Sequence, residues 1–313
     1  MTTARILFFL LCAACFIPYA SPPLALAAGL VFALALGNPY PKESRQISGK
    51  LLRFCVVLLG FSMNLFVVLK AGESGMVFAA ATITATLLLG WGVGSLLGIR
   101  RRTSALIASG TAICGGSAIA AVGSVLGAEE GEMSVALGTV FLLNAVALYV
   151  FPIIGHALHL TQSQFGTWAG VAIHDISSVV GAAKTYGQGA LETATAVKLS
   201  RTLWIIPLAL AAAFAMHRRG VVEPDGKKPK IQIPWFIGIF LLAACVRTYV
   251  PSVASATPTI SYVTTAGLSL TLFLIGSGLS KVALKAVGWR PLVQGLSLWL
   301  FISVVSLVVI MRF

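Results

Sequence analysis

The feature that constrains this chain most is a near-unbroken series of apolar stretches joined by short connections. They fall at about 5–20, 23–37, 51–69, 76–98, 103–127, 132–158, 163–185, 190–217, 234–250, 260–284 and 289–311. A helix crosses a bilayer with about 20 apolar residues, or somewhat fewer when it is short or anchored at its ends. Hydrophobic residues make up 58% of the 313 and charged ones only 10%, whereas a soluble domain carries about 25% charged residues. A soluble fold of this length would need a polar surface that this chain cannot supply. Lipid removes the need, since the outside of a helix bundle is then as apolar as its inside. The expected fold is an all-α polytopic membrane protein, a single transmembrane domain over residues 1–313 with about 9–11 membrane helices.

Lys and Arg number 22 against 9 acids, a formal net charge of +13. On a soluble protein this excess would suggest nucleic acid. Here the basic residues cluster between apolar runs, as the positive-inside rule requires, so the expected partner is the lipid bilayer and no nucleic acid. One cluster, Pro41–Arg53, holds Lys42, Arg45, Lys50 and Arg53; a second is Arg100-Arg101-Arg102. The stretch His217–Lys230 holds Arg218, Arg219, Lys227, Lys228 and Lys230, and a fourth cluster holds Lys281, Lys285 and Arg290. The alternating connections Ser21–Pro23, Ala71–Gly75 and Pro251–Pro258 are poor in Lys and Arg. This pattern predicts a cytoplasmic N-terminus, a C-terminus on the opposite face and a cytoplasmic linker near 218–233. Arg5 followed by the apolar run Ile6–Ile17 could open a signal peptide, but the run resumes after Pro22-Pro23, which favours a retained first helix.

The five cysteines, Cys12, Cys15, Cys55, Cys114 and Cys245, lie inside apolar segments in an odd number with no CxxC or Cys/His metal spacing. They read as small apolar side chains; no metal site and no cofactor motif is expected.

Two segments depart from ordinary spans. Thr103–Leu126 contains Ser109-Gly110-Thr111-Ala112-Ile113-Cys114-Gly115-Gly116-Ser117-Ala118, and Phe165–Ala183 contains Gly170-Val171-Ala172-Ile173-His174-Asp175-Ile176-Ser177-Ser178. Paired glycines and small polar residues in mid-segment favour a break. The two also match: Gly110, Ala112, Ile113 and Ser117 recur sixty positions on as Gly170, Ala172, Ile173 and Ser177, with Glu132 and Ala136 matching Glu192 and Ala196. A weaker match links Leu59-Gly60 with Ile275-Gly276. If the broken segments are re-entrant hairpins, the tandem units are inverted repeats. If they cross, they are broken helices. Two extra crossings restore the starting side, so the charge rule permits both. Either way the breaks can meet near mid-membrane.

Interrupted helices in inverted repeats are a construction of secondary transporters. A break frees backbone N–H groups at the start of the next half-helix, which attract an anion without a full buried charge. Small residues that merely let helices pack closely are the plainer reading, but a matched second copy favours the site. Candidate substrate contacts are Thr111, Cys114, Gly115, Gly116, Ser117, Ser177 and Ser178. His174 and Asp175 are candidates for coupling, because ionisable groups at such depth are costly and are functional by default. Asp175 is equally suited to cap the following half-helix. Lys198 and Arg201, three apart on one helix face, form either a positive wall for an anion or a pair that snorkels to the interface. Asn144 reads as an interhelical hydrogen bond, and Glu129, Glu130 and Glu132 as solvated loop residues.

Both long motifs, together with Lys198-Leu199-Ser200-Arg201, Leu58-Leu59-Gly60 and Pro234-Trp235-Phe236, resemble the YeiH family of bacterial inner-membrane proteins, a family described as sulfate exporters. The resemblance covers nearly the whole chain. It implies a multi-pass protein of the cytoplasmic membrane, in which the loop charges above would make the C-terminus periplasmic. It also implies kinship with the cation–proton antiporter and bile-acid transporter group: inverted repeats, a core with interrupted helices, and often elevator-type sliding of that core against a scaffold that forms a homodimer. The expected function is secondary transport of a small inorganic or organic anion, such as sulfate, sulfite or a sulfonate, with a proton or sodium as coupling ion. The alternative is a cation/proton antiporter in which Asp175 binds the cation. An enzyme is not expected, since no catalytic nucleophile, metal cluster or nucleotide motif occurs.

Overall fold

The computed structural model describes residues 2–17, 21–218, 235–250, 252–279 and 287–312. Among them the secondary structure is helical throughout: α1 (Thr2–Ala14), α2 (Pro22–Ala35), α3 (Pro41–Gly60), α4 (Leu65–Leu96), α5 (Arg101–Ala112), α6 (Gly116–Val125), α7 (Glu130–Ala157), α8 (Gln162–Ala172), α9 (Ile176–Tyr186), α10 (Gln188–Leu203), α11 (Ile205–Arg218), α12 (Trp235–Tyr249), α13 (Val253–Gly278) and α14 (Trp289–Arg312). Five spans are long and apolar enough to cross a membrane: Val77–Leu96, Gly131–Ala157, Gln188–Phe214, Ser255–Gly278 and Trp289–Arg312. Helices α10 and α11 share one of these spans, because the Leu208 N–H donates to Trp204 O at 3.1 Å and carries the backbone ladder across the joint.

Several boundaries differ from the sequence expectation. The basic stretch 41–53 is not a connection but the first turns of α3, which ends at Gly60 rather than near 69. Its opening turns are too polar to register as a span. The connection expected at 71–75 lies inside α4, whose start is fixed by Asn64 accepting from the Phe66 N–H at 2.8 Å. The connection expected at 251–258 is largely helical too, with Pro258 inside α13. Glu130 and Glu132 are helical rather than loop residues, and the Glu132 carboxylate accepts from the Glu129 N–H at 3.1 Å, a buried cap on α7. The linker near 218–233 and the cluster at Lys281 and Lys285 lie outside the described residues, apart from Arg218.

Both broken segments are hairpins. Arg102, at the start of α5, donates from Nη1 to the carbonyl of Gly127, just past the end of α6, at 3.2 Å. Gly110 on one arm faces Ile119 on the other so closely that a Cβ at 110 would lie 2.8 Å from its side chain. In the second hairpin, Tyr186 at the end of α9 stacks on Phe165 near the start of α8, ring centroids 3.8 Å apart, and donates to Leu160 O at 2.7 Å. A helix that crossed would hold these residues a membrane thickness apart. The mouth of the first hairpin adjoins the start of α7 and that of the second adjoins its end. A helix of 28 residues is about 42 Å long. The hairpins therefore enter from opposite ends, and the sixty-residue repeat is inverted.

The helices pack into two bodies that share one hydrophobic core, in which Cys55, Val56, Leu59 and Phe240 join residues of α7 to α10. In one, α13 lies against α2 and α3, with α12 against α3. In the other, α4, the two hairpins, α7, α10 and α14 pack together. The weak repeat around Gly60 and Gly276 marks equivalent close crossings in the first body. A Cβ on Gly60 would lie 2.5 Å from Phe240 O of α12, and one on Gly276 2.5 Å from Leu26 O of α2.

Candidate functional site at the hairpin tips

Each hairpin turns over at a short unwound tip. After Ala112 the first chain leaves helical geometry at Ile113 and reverses at Gly115, where φ is +68°, a left-handed conformation that favours glycine. After Ala172 the second chain is extended at Ile173 and again at Asp175, the N-cap of α9. The tips touch: a Cβ on Gly115 would lie 3.5 Å from His174 O and 3.6 Å from the Asp175 Cα. The breaks thus form one site, built from both repeats.

Four hydrogen bonds anchor it at mid-depth. The His174 N–H donates to Asn144 Oδ1 at 3.0 Å, and Asn144 sits at the middle of α7. Arg201, at the middle of the span Gln188–Phe214, donates to Thr82 Oγ1 of α4 at 2.8 Å and to Ala112 O at 2.5 Å. Lys198 donates from Nζ to Ile113 O at 3.0 Å. Lys198 and Arg201 are 0% and 1% exposed, so they do not snorkel. Both cations point at carbonyls that end the half-helix α5, the negative pole of its dipole.

Asp175 does cap α9. Its carboxylate accepts from the N–H groups of Ser177 and Ser178 at 3.0 and 3.4 Å and from the Ser177 hydroxyl. The Ser177 hydroxyl is therefore committed to Asp175 and is not the free donor expected from sequence. Ser117 departs further. It is exposed on the outer face of α6, while Thr111, Cys114 and Gly115 are buried at the tip and Gly116 is partly so. The five cysteines are all free.

The tip region concentrates polar atoms that have no partner in the protein: Thr111 Oγ1, Asn144 Nδ2, both ring nitrogens of His174 and Arg201 Nε. Buried polar groups are normally hydrogen-bonded, so such a cluster needs a ligand or water. Asn144 Nδ2 and Arg201 Nε are donors only, and the Thr111 hydroxyl and a His174 ring nitrogen can donate as well. Lys198 and Arg201 carry two positive charges and Asp175 one negative, so the formal balance around the tips is one positive charge when His174 is neutral. Among the described residues no group of His, Cys, Asp and Glu could hold a metal ion. Thr82, the partner of Arg201, was not legible as a site residue. A threonine in a membrane helix commonly bonds the preceding turn, and Thr82 also does so, to Phe78 O at 2.8 Å.

Opposed re-entrant hairpins meeting at mid-depth, inside a bundle of apolar spans, define a polytopic membrane protein with a polar site enclosed at its centre. The family model described as "Conserved hypothetical protein 698" matches residues 6–295, and the chain belongs to that family. It is 51% identical to a "UPF0324 membrane protein" of Bacteroides thetaiotaomicron over 92% of this chain and 86% of that one. The UPF0324 membrane protein of Porphyromonas gingivalis is 49% identical, over 95% of this chain and 88% of the relative. That of Geobacter sulfurreducens is 44% identical, over 96% and 94%. No solved structure matches the chain.

Proposed function

We propose that this chain is a secondary transporter of a small oxyanion, sulfate, sulfite or a sulfonate, exported across the bacterial cytoplasmic membrane. The observation that carries this reading is the cluster of unpartnered donors at the hairpin tips, beside Lys198 and Arg201. A desolvated oxyanion needs several convergent N–H and O–H donors and a positive field. This site offers both and carries a single carboxylate. Opposed hairpins let each side of the membrane reach the same central site in turn. The division into two bodies supports an elevator-type motion, with the hairpin body sliding against α2, α3, α12 and α13; the latter body would form the homodimer scaffold. Arg100, Arg101, Arg102 and Arg290 lie at the end where the first hairpin enters, which supports placing that end in the cytoplasm.

Proteoliposomes test the proposal: uptake of labelled sulfate, sulfite and taurine with and without a pH or sodium gradient. Saturable uptake of one of them is expected, and no transport of any anion under any gradient would sink the reading. Asp175 bears on the coupling ion, since it is the one acid at the tips. Asp175→Asn should retain exchange of anion across the membrane and lose gradient-driven accumulation. Full accumulation in that variant would remove Asp175 from coupling. The alternative, a cation/proton antiporter, rests on this same carboxylate. A sodium-dependent proton flux that no anion alters would favour it. The Ser177 hydroxyl donates to Asp175 rather than to His174, which suits a helix cap.

A further inference from the structure

Beside the first hairpin, away from its tip, lies a cleft of about 460 Å³ between α4, α5, α6 and α11. Its outer rim carries Arg101 and Arg102, and its walls are mainly apolar, with Leu87 and Trp91 from α4, Val122 from α6 and Leu208 from α11, beside Ser95, Ser104 and Ser109. We propose that this cleft binds one anionic phospholipid of the surrounding bilayer, with its phosphate on the two arginines and an acyl chain along the apolar wall.

The rim is positive, and Arg101 on it is uncommitted. Arg100 is paired with Glu129 at 3.9 Å. Arg101 makes no hydrogen bond or ion pair among the described residues, and Arg102 uses only Nη1, on Gly127 O. Both are exposed. The N-cap of α5 is Arg100, with no side-chain cap, so the first N–H groups of this helix lie at the same rim as the arginines. Basic pockets between membrane helices at the cytoplasmic surface suit anionic lipid headgroups. The interior decides between a lipid and a free anion. Below the arginines the lining reaches Ser109, eight residues further along α5, about 12 Å deeper; the hydroxyls of Ser104 and Ser109 are already donated to Gly90 O and Leu106 O, and a hydrated anion gains little from the walls of Leu, Val and Trp around them. An acyl chain fills them at no polar cost. Trp91, 71% exposed, stands at the edge of the cleft as a lipid-facing surface.

The consequence is mechanical. The cleft runs alongside the crossing of α4 and α5, where Ser104 donates to Gly90 O at 3.2 Å, and borders α6 and α11, so a seated lipid braces the first hairpin from its outer side. The second hairpin is instead braced by protein, through the stacked rings of His156, Tyr186 and Phe165. The lipid site is independent of whatever ligand the tips hold.

Purified full-length protein in detergent tests the proposal, with thermal unfolding and native mass spectrometry as readouts. The probes are phosphatidylglycerol, phosphatidylcholine and inorganic phosphate. Phosphatidylglycerol should raise the melting temperature and survive as a one-to-one adduct, phosphatidylcholine and phosphate doing neither. R101Q removes one exposed charge and should weaken the adduct about fivefold. A105L, which fills the cleft from α5, should abolish it while leaving the protein folded. Equal binding of the two lipids, stabilisation by phosphate as large as by phosphatidylglycerol, or an adduct unchanged in both variants would each overturn it.

Discussion

Lys198 Nζ donates to the carbonyl of Ile113 at 3.0 Å, so a cation on the crossing helix of the second repeat closes the end of a half-helix in the first. The contact joins residues 85 positions apart in sequence. It makes the two repeats one site rather than two symmetric halves. Removing it should cost stability and binding together. Lys198→Met keeps the length of the side chain and deletes its charge, leaving Ile113 O buried without a partner, a penalty of about 1–3 kcal/mol. A lowered melting temperature in detergent is expected, with loss of anion-dependent stabilisation. Retained anion stabilisation in Lys198→Met would detach this lysine from the substrate.

Asn144 separates holding the tip from reading the ligand. Its Oδ1 accepts from the His174 N–H, while its Nδ2 has no protein partner. Asn144→Asp preserves the acceptor and replaces the spare donor with negative charge, so anion binding should fall steeply; Asn144→Ala removes the acceptor and should destabilise the protein by about 1–3 kcal/mol. Isothermal titration and thermal unfolding on the two variants check this split. Equal anion affinity in the wild type and Asn144→Asp would show that the free amide does not face the ligand.

Gly60 and Gly276 are predicted to be intolerant of any side chain, because each would press a Cβ against a backbone carbonyl of the neighbouring helix. Alanine at either should destabilise the protein by about 1–3 kcal/mol through forced helix separation. Gly238 on α12 faces open space, and alanine there should be neutral or slightly stabilising, since alanine is the better helix former. Melting temperatures of the three variants give the comparison directly.

The opposed hairpins predict opposite labelling. Arg101 and Ser163 are both exposed, at the mouths of the first and second hairpin. In intact cells a membrane-impermeant maleimide should modify Ser163→Cys, above the background of the native cysteines, and leave Arg101→Cys untouched. Inside-out vesicles should reverse the result. Labelling of both from one side would contradict the arrangement.

Much of the candidate site is legible in the sequence alone. Gly110–Ala118 and Gly170–Ser178 broke the helical pattern in matching places, and both became hairpin tips. Whether those segments cross or turn back was not legible, since loop charge is blind to a pair of added crossings. The depth of Lys198 and Arg201 was equally hidden. Their spacing put them on one face of a helix, but only the partners Ile113, Ala112 and Thr82 show that the face turns inward. The start of α3 is not legible as part of a span because its first turns carry Lys42, Arg45 and Lys50, and an amphipathic beginning forms no apolar run.

By itself, the sequence determined that this chain is a membrane bundle and which two segments are interrupted. Those properties depend on composition and local backbone preference, which neighbouring residues set. Tertiary structure alone decided that the interruptions face each other from opposite ends and that Asp175 is bound up in a helix cap. It also left Asn144 Nδ2, Arg201 Nε and the His174 ring without partners at one point. Such facts depend on hydrogen-bond geometry between residues far apart in the chain, which no local pattern encodes.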